Sequence, residues 1–160
     1  MKVTFKKLND NAVMPRKAHP TDAGFDLVAT SKRIDEMGNI VYGTGLAFEI
    51  PEGHVGLIFP RSSISKTNIV LTNSVGVCDC HFRGEVMAKF KPVNTAHEFI
   101  TPPLGLVEPY IDMDGDPKDY EVGERIAQLI IIPIPEIEFE EVEELSETDR
   151  GTGGYGSTGK

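Results

Sequence analysis

Short apolar stretches, each closed off within a few residues by glycine, proline, asparagine or aspartate, recur along the whole chain. No segment sustains the helical period of apolar residues that an amphipathic helix needs. This punctuation restricts the chain to many short strands joined by turns, an all-β sandwich or barrel. The best strand candidates are residues 3–8, 46–50, 55–59, 85–91, 125–132 and 137–142. Within 85–91, Val86, Ala88 and Phe90 share one face while Met87 and Lys89 share the other. Ile50-Pro51-Glu52-Gly53-His54 reads as a tight turn between two strands. At most one short helix fits, across residues 62–67.

A length of 160 residues, 39% of them apolar, suits one domain with a real core. The longest apolar run, 126–134, is interrupted by Gln128 and Pro133 and is far too short to span a bilayer. No apolar stretch follows the basic N-terminus, so no signal peptide is expected. Cys78 and Cys80, one residue apart, make a poor disulfide. A reducing compartment, the cytoplasm, is the expectation. The net charge of −9 argues against direct binding of nucleic acid, because phosphate neutralisation supplies most of that affinity. An anionic substrate would therefore need local arginines and a metal ion to overcome the global field. The eight carboxylates in 136–149 read as a solvated strand edge.

Two segments stand apart. Residues 92–122 are rich in proline and long for a connection inside a compact domain, so they form either a functional excursion or a mobile loop. Their acidic turn Asp112-Met113-Asp114-Gly115-Asp116 starts like a calcium loop, but its glycine comes too early and no glutamate closes it, so it reads as a solvated turn. The tail Arg150-Gly151-Thr152-Gly153-Gly154-Tyr155-Gly156-Ser157-Thr158-Gly159-Lys160 has five glycines in eleven residues and cannot hold a strand or helix alone. A plain linker would be featureless. This tail adds an arginine, an aromatic ring and hydroxyls, the parts needed to wrap a planar, anionic ligand.

Four further stretches look like site material. Ala23-Gly24-Phe25-Asp26-Leu27 sets a carboxylate after a glycine at a strand start. Pro60-Arg61-Ser62-Ser63-Ile64 offers a guanidinium and two hydroxyls at a strand end. Residues 73–85 join Asn73, Asp79 and Phe82 with two glycines, Gly76 and Gly84, in an expected hairpin. Gly123-Glu124-Arg125-Ile126-Ala127-Gln128-Leu129 carries polar side chains into an otherwise buried strand. Singly each is weak: a lone aspartate is usually a turn cap, and a lone glutamine a satisfied core amide. Cys78, Cys80 and His81 cannot easily converge on one zinc ion, which wants four ligands. His19, His54 and His97 show no partner pattern.

Taken together and in order, 23–27, 60–64, 76–84, 123–129 and 150–159 resemble the five short motifs of the trimeric deoxyuridine triphosphatases (dUTPases). The resemblance implies a jelly-roll-like β-sandwich, the β-clip fold, over residues 1–149, with an extended insertion in 92–122, and a flexible glycine-rich C-terminal arm, 150–160, acting as a lid. It implies a homotrimer whose sites are built from three subunits. The reaction would be hydrolysis of dUTP to dUMP and pyrophosphate, limiting uracil in DNA and supplying dUMP. Asp79 would activate the water. Arg61, Ser62, Ser63, Gln128, Arg150, Gly151, Gly153, Ser157 and Thr158 would hold phosphate. Asn73, Gly76, Phe82, Met87 and Tyr155 would bind uracil and deoxyribose, with Asp26 and Arg125 in support. Mg²⁺ would be held by substrate phosphates and water, with no direct protein ligand. Family members usually carry tyrosine where Phe82 stands, and phenylalanine keeps the face that packs under the sugar. Two alternatives remain. The related dCTP deaminases share the fold, and Glu85 lies near the right hairpin for their acid/base group. Some phage-encoded members carry insertions that bind other proteins, a role that residues 92–122 could take in a host cytoplasm.

Overall fold

The computed structural model describes residues 1–93, 96–98, 109–111 and 118–154. Among these, the strands in chain order are β1 (Thr4–Lys7), β2 (Phe25–Val28), β3 (Ser31–Ile34), β4 (Ile40–Gly43), β5 (Leu46–Glu49), β6 (His54–Pro60), β7 (Ile69–Leu71), β8 (Gly76–Cys78), β9 (Met87–Pro92), β10 (Ala96–Glu98), β11 (Pro109–Ile111) and β12 (Arg125–Pro133). One 3-10 turn, Ser62–Lys66, follows β6, where the sequence allows a short helix.

The strands pair antiparallel throughout. Two four-stranded sheets, ordered β2-β12-β6-β8 and β3-β4-β9-β7, form the body, with smaller β1-β5 and β10-β11 pairs beside them. The first sheet sends Leu27, Ile58, Cys78, Ile126 and Leu129 into the core, and the second sends Ile40, Tyr42, Ile69, Leu71, Ala88 and Phe90. Burying such side chains is the main favourable contribution to folding, about 1.5–3 kcal/mol for each large one. The jelly-roll-like all-β expectation holds. So does the alternation in β9: Val86, Ala88 and Phe90 are buried, whereas Met87 and Lys89 are exposed.

Two expectations are corrected. Residues 137–142 are not a strand in this chain. They pair with no strand among the described residues and leave Ile137, Phe139 and Val142 exposed. The two arms of 73–85 are not paired as a hairpin: β8 pairs with β6 in one sheet, and the chain then crosses to β9 in the other. Within residues 92–122, β10 and β11 pair with each other. The acidic turn of that segment, 112–116, lies outside the described residues.

The second sheet is tied to the start of β12 by aromatic rings. Tyr42, fully buried, donates its hydroxyl proton to the Tyr120 carbonyl at 2.7 Å and accepts from the Tyr120 N–H at 3.1 Å. Burial holds the Tyr42 phenol well above its ordinary range, so it stays neutral and can donate. The Tyr42, Phe90 and Tyr120 rings meet edge to face, with centroids 5.7–6.3 Å apart. Tyr42→Phe strands both backbone groups of Tyr120. It is expected to lower unfolding stability by about 2–4 kcal/mol in urea titrations at fixed protein concentration. An unchanged midpoint would show that these bonds do not matter.

Candidate active site

Asp26 organises the first cluster. On β2, Leu27 points into the core and Asp26 is left on the other face. Its side chain is only 15% exposed and holds two guanidinium groups: Arg61 Nε donates to Oδ1 at 2.8 Å, and Arg125 Nη1 donates to Oδ2 at 3.0 Å. Arg61 sits where β6 ends, and its Nη1 donates to Ser63 Oγ at 3.2 Å and to the Arg125 carbonyl at 3.4 Å. A register shift between Arg125 and Ala127 buries Ile126 and Ala127 together and sets Arg125 across from Val28. Bulges re-aim side chains in this way. The two guanidiniums, with Asp26 between them, border a cavity of about 240 Å³. Arg61, Ser63, Tyr120, Gly123, Glu124 and Arg125 line it. Such forks suit phosphate oxygens. Ser62 is exposed at the start of the 3-10 turn.

Gln128 stands opposite Asp26 on β2 and Phe59 on β6. Its Nε2 donates to the Pro60 carbonyl at 3.3 Å. Gly24 makes this possible, since a Cβ there would fall 2.6 Å from Gln128 Oε1. The first, second and fourth motifs thus converge on one site.

The third motif builds a second site. Asn73, Gly76 and Met87 line a cavity of about 300 Å³ with Ile58, Leu71, Thr72, Ala88 and Lys89. Gly76 lets the backbone press on β6, where an added Cβ would lie 3.1 Å from Ile58 Cβ. Beyond β8 the chain turns tightly, with the Phe82 N–H donating to the Asp79 carbonyl at 3.0 Å. The Asp79 side chain is exposed. The Phe82 ring folds over Gly84. Cys78 and Cys80 are both free thiols. Burial pushes the Cys78 thiol up, and the Asp79 charge adds to this, so Cys78 is a packing residue rather than a thiolate. Glu85 accepts from the Gly45 N–H at 2.7 Å, which ties it to the β4–β5 turn.

Asp79 and the Asp26 clamp lie toward opposite ends of β6. Cys78 stands across from Gly56, while Arg61 comes five positions further along. At the rise of an extended strand that is roughly 17 Å, and Asp79 continues away from Arg61. No arginine side chain bridges such a gap. Within one chain, Asp79 cannot serve an anion held by Arg61 and Arg125.

The tail is described as far as Gly154. Arg150 Nε donates to the Gly153 carbonyl at 2.9 Å, and the Gly151 N–H donates to the Thr148 carbonyl at 2.9 Å, so this stretch closes on itself. Tyr155, Ser157 and Thr158 lie outside the described residues. Among the described residues no group of three or more His, Cys, Asp or Glu could hold a metal ion. A donor set of arginine, serine and glutamine fits a cation that arrives on phosphate oxygens, as Mg²⁺ does. Sequence reasoning missed Tyr120, whose hydroxyl lies 3.2 Å from Ser63 Oγ. A single tyrosine at the end of a long irregular segment carries no pattern by which to find it.

A family model described as dUTPase matches residues 10–101 and 114–159. A deoxyuridine 5'-triphosphate nucleotidohydrolase of Nautilia profundicola is 39% identical over 162 residues, covering 100% of both chains. Among solved structures, the dUTPase of Staphylococcus bacteriophage 80alpha with dUpNHpp has 32% identity and a TM-score of 0.76, covering 99% of each chain. A mutant dUTPase from phage phi11 of S. aureus, described as revealing the coordination of a structural Mg(II) ion, has 29% identity and a TM-score of 0.66. It covers 90% of this chain and 98% of its own.

Gly24→Ala tests how the site is positioned. Its methyl group collides with Gln128, so a crystal structure of the variant is expected to show the amide displaced and its bond to Pro60 broken. An unmoved Gln128 would refute the close approach.

Proposed function

The chain belongs to the dUTPase family, and from that premise we propose that it hydrolyses dUTP to dUMP and pyrophosphate, limiting uracil in DNA and supplying dUMP for dTMP synthesis. The observation that carries this reading is the Asp26 clamp. It holds two guanidiniums beside Ser63 and Gln128 on one rim, the equipment for a polyphosphate in a chain whose net charge is otherwise −9.

Asp79 takes a proton from a water aligned with the α-phosphorus. A new P–O bond forms from that water, the bond to the bridging oxygen breaks, and pyrophosphate leaves. Arg61, Ser62 and Ser63 hold the departing phosphates, Gln128 the α-phosphate, and Arg125 steadies Asp26. Mg²⁺, when bound to the triphosphate, supplies charge neutralisation. Uracil enters the cavity of Asn73, Gly76 and Met87, where backbone groups read its edge and leave cytosine unpaired. Phe82 packs against the deoxyribose and excludes a ribose hydroxyl. From the tail, Arg150, Gly151, Gly153, Ser157 and Thr158 close on the phosphates and Tyr155 stacks on the base.

The separation of Asp79 from Arg61 along β6 favours a site shared between copies, as in a homotrimer. So does the unpaired stretch 137–142. Ile137 and Phe139 alternate with glutamates in a strand pattern, and Phe139 is 94% exposed. Such a segment suits the sheet edge of another copy. Among the described residues no helix is long and apolar enough to cross a membrane, and a cytoplasmic location accords with the free thiols. A second role, protein binding through residues 92–122, is favoured by one observation: the family match breaks over 102–113. The dCTP deaminase alternative is weakened by Glu85, whose carboxylate is engaged with Gly45.

A pyrophosphate-release assay with each nucleoside triphosphate, with and without Mg²⁺, tests the assignment. Rapid Mg²⁺-dependent release from dUTP is expected, with far slower release from UTP, dCTP and dTTP. Comparable rates on dUTP and UTP would remove the role given to Phe82, and ammonia from dCTP would favour the deaminase.

A further inference from the structure

We propose that Tyr120 is a positioning residue for the phosphate side of the site, turning Ser63 into a dedicated hydrogen-bond donor toward the triphosphate. The inference rests on the dUTP reading above and concerns a residue outside all five motifs.

Tyr120 is 5% exposed, yet it lines the same cavity as Arg61, Ser63 and Arg125. Its placement is over-determined. The Tyr42 hydroxyl bonds both its N–H and its carbonyl, at 3.1 and 2.7 Å. Its ring is gripped by Tyr42 and Phe90, with centroids 6.3 and 5.9 Å away. The core therefore needs the ring, but the Tyr120 hydroxyl reaches past it to Ser63 Oγ, 3.2 Å distant.

The protons can be counted. A hydroxyl has one proton to give and two lone pairs. Arg61 Nη1, 3.2 Å from Ser63 Oγ, can only donate. Tyr120 and Ser63 share one hydrogen bond, which uses one of their two hydroxyl protons. Among the described residues neither oxygen has a further acceptor, so one O–H remains unused. The phenol is the more acidic partner and gives its proton to Ser63. Both lone pairs of Ser63 are then occupied, by Arg61 and by Tyr120, and its own proton faces the cavity. Two guanidiniums flank that cavity, the one carboxylate in its lining, Glu124, is engaged by the Glu121 N–H at 2.7 Å, and a phosphate oxygen held by the arginines accepts the proton. The donor is aimed before substrate arrives, which avoids reorganisation on binding. Without the Tyr120 hydroxyl, the Ser63 rotor is free.

Tyr120→Phe keeps the ring and both bonds to Tyr42 while removing only the hydroxyl. Dissociation constants for the imido analogue dUpNHpp and for dUMP are compared by calorimetry in wild type and variant. The two ligands share base, sugar and α-phosphate, and only the first has the terminal phosphates assigned to Ser63. The expected result is a roughly threefold to tenfold loss for dUpNHpp, the span of one net hydrogen bond. Affinity for dUMP stays as in wild type. In a Ser63→Ala background, Tyr120→Phe should add nothing, because the two act as one unit. An unchanged ratio of the two affinities, or an equal loss for both ligands as general loosening would give, overturns the inference. If Tyr120→Phe does not fold, a neutron crystal structure of the wild-type protein replaces it: the Tyr120 proton is expected on the line to Ser63 Oγ, and a Ser63 proton there instead overturns the inference. Failure of the wild-type chain to bind dUpNHpp overturns the dUTP reading together with this inference, whereas wild-type binding with an unchanged ratio overturns the inference alone.

Discussion

One carboxylate holds the proposed phosphate side of this protein together. Asp26 lies between Arg61 and Arg125, which come from the end of β6 and the start of β12. Without it, two guanidiniums would face each other in a half-buried corner and repel. With it, they are fixed at salt-bridge distance. The surrounding features follow from that constraint. Gly24 clears space so that Gln128 can stand directly opposite Asp26. The register shift at Ile126 sends Arg125 toward the clamp while the core stays filled. Ser63 and Tyr120 then continue the network inward to Tyr42 and the second sheet.

The same strand that ends at the clamp begins near the proposed general base. Pairing of β6 with β8 sets Asp79 near the far end of β6 from Arg61. A strand is a rigid ruler on this scale, and no local motion brings its two ends together. A chain built this way has two half-sites. In the proposed assembly a second copy joins them, and Ile137 and Phe139 lie exposed on each chain.

Much of this was legible before any coordinates. Alternation made Val86, Ala88 and Phe90 core residues, and they are. The glycine-punctuated order of Asp26, Arg61, Asp79, Gln128 and Arg150 was enough to suggest the family. Shorter strands escaped. All four residues of β4 are buried, so no alternation betrays it, and β7 and β8 are three residues each. Residues 137–142 misled in the opposite sense: their alternation is real, but pattern reports a preference for a partner and not where that partner is. Tyr120 was invisible for a different reason. Its role depends on Tyr42, seventy-eight positions away in sequence, and only folding brings the two together.

The central claim is that the Asp26-clamped arginines of one copy act with Asp79 of another. Mixed assemblies of two inactive chains, Asp79→Asn and Arg61→Ala, test it directly after co-refolding at equal concentration. Random mixing gives about a quarter of all sites an intact Asp79 and an intact Arg61 from different copies. Pyrophosphate release from dUTP should recover to about that fraction of the wild-type rate. Mixtures as inactive as either variant alone would show that each site lies within a single chain, and would contradict the account.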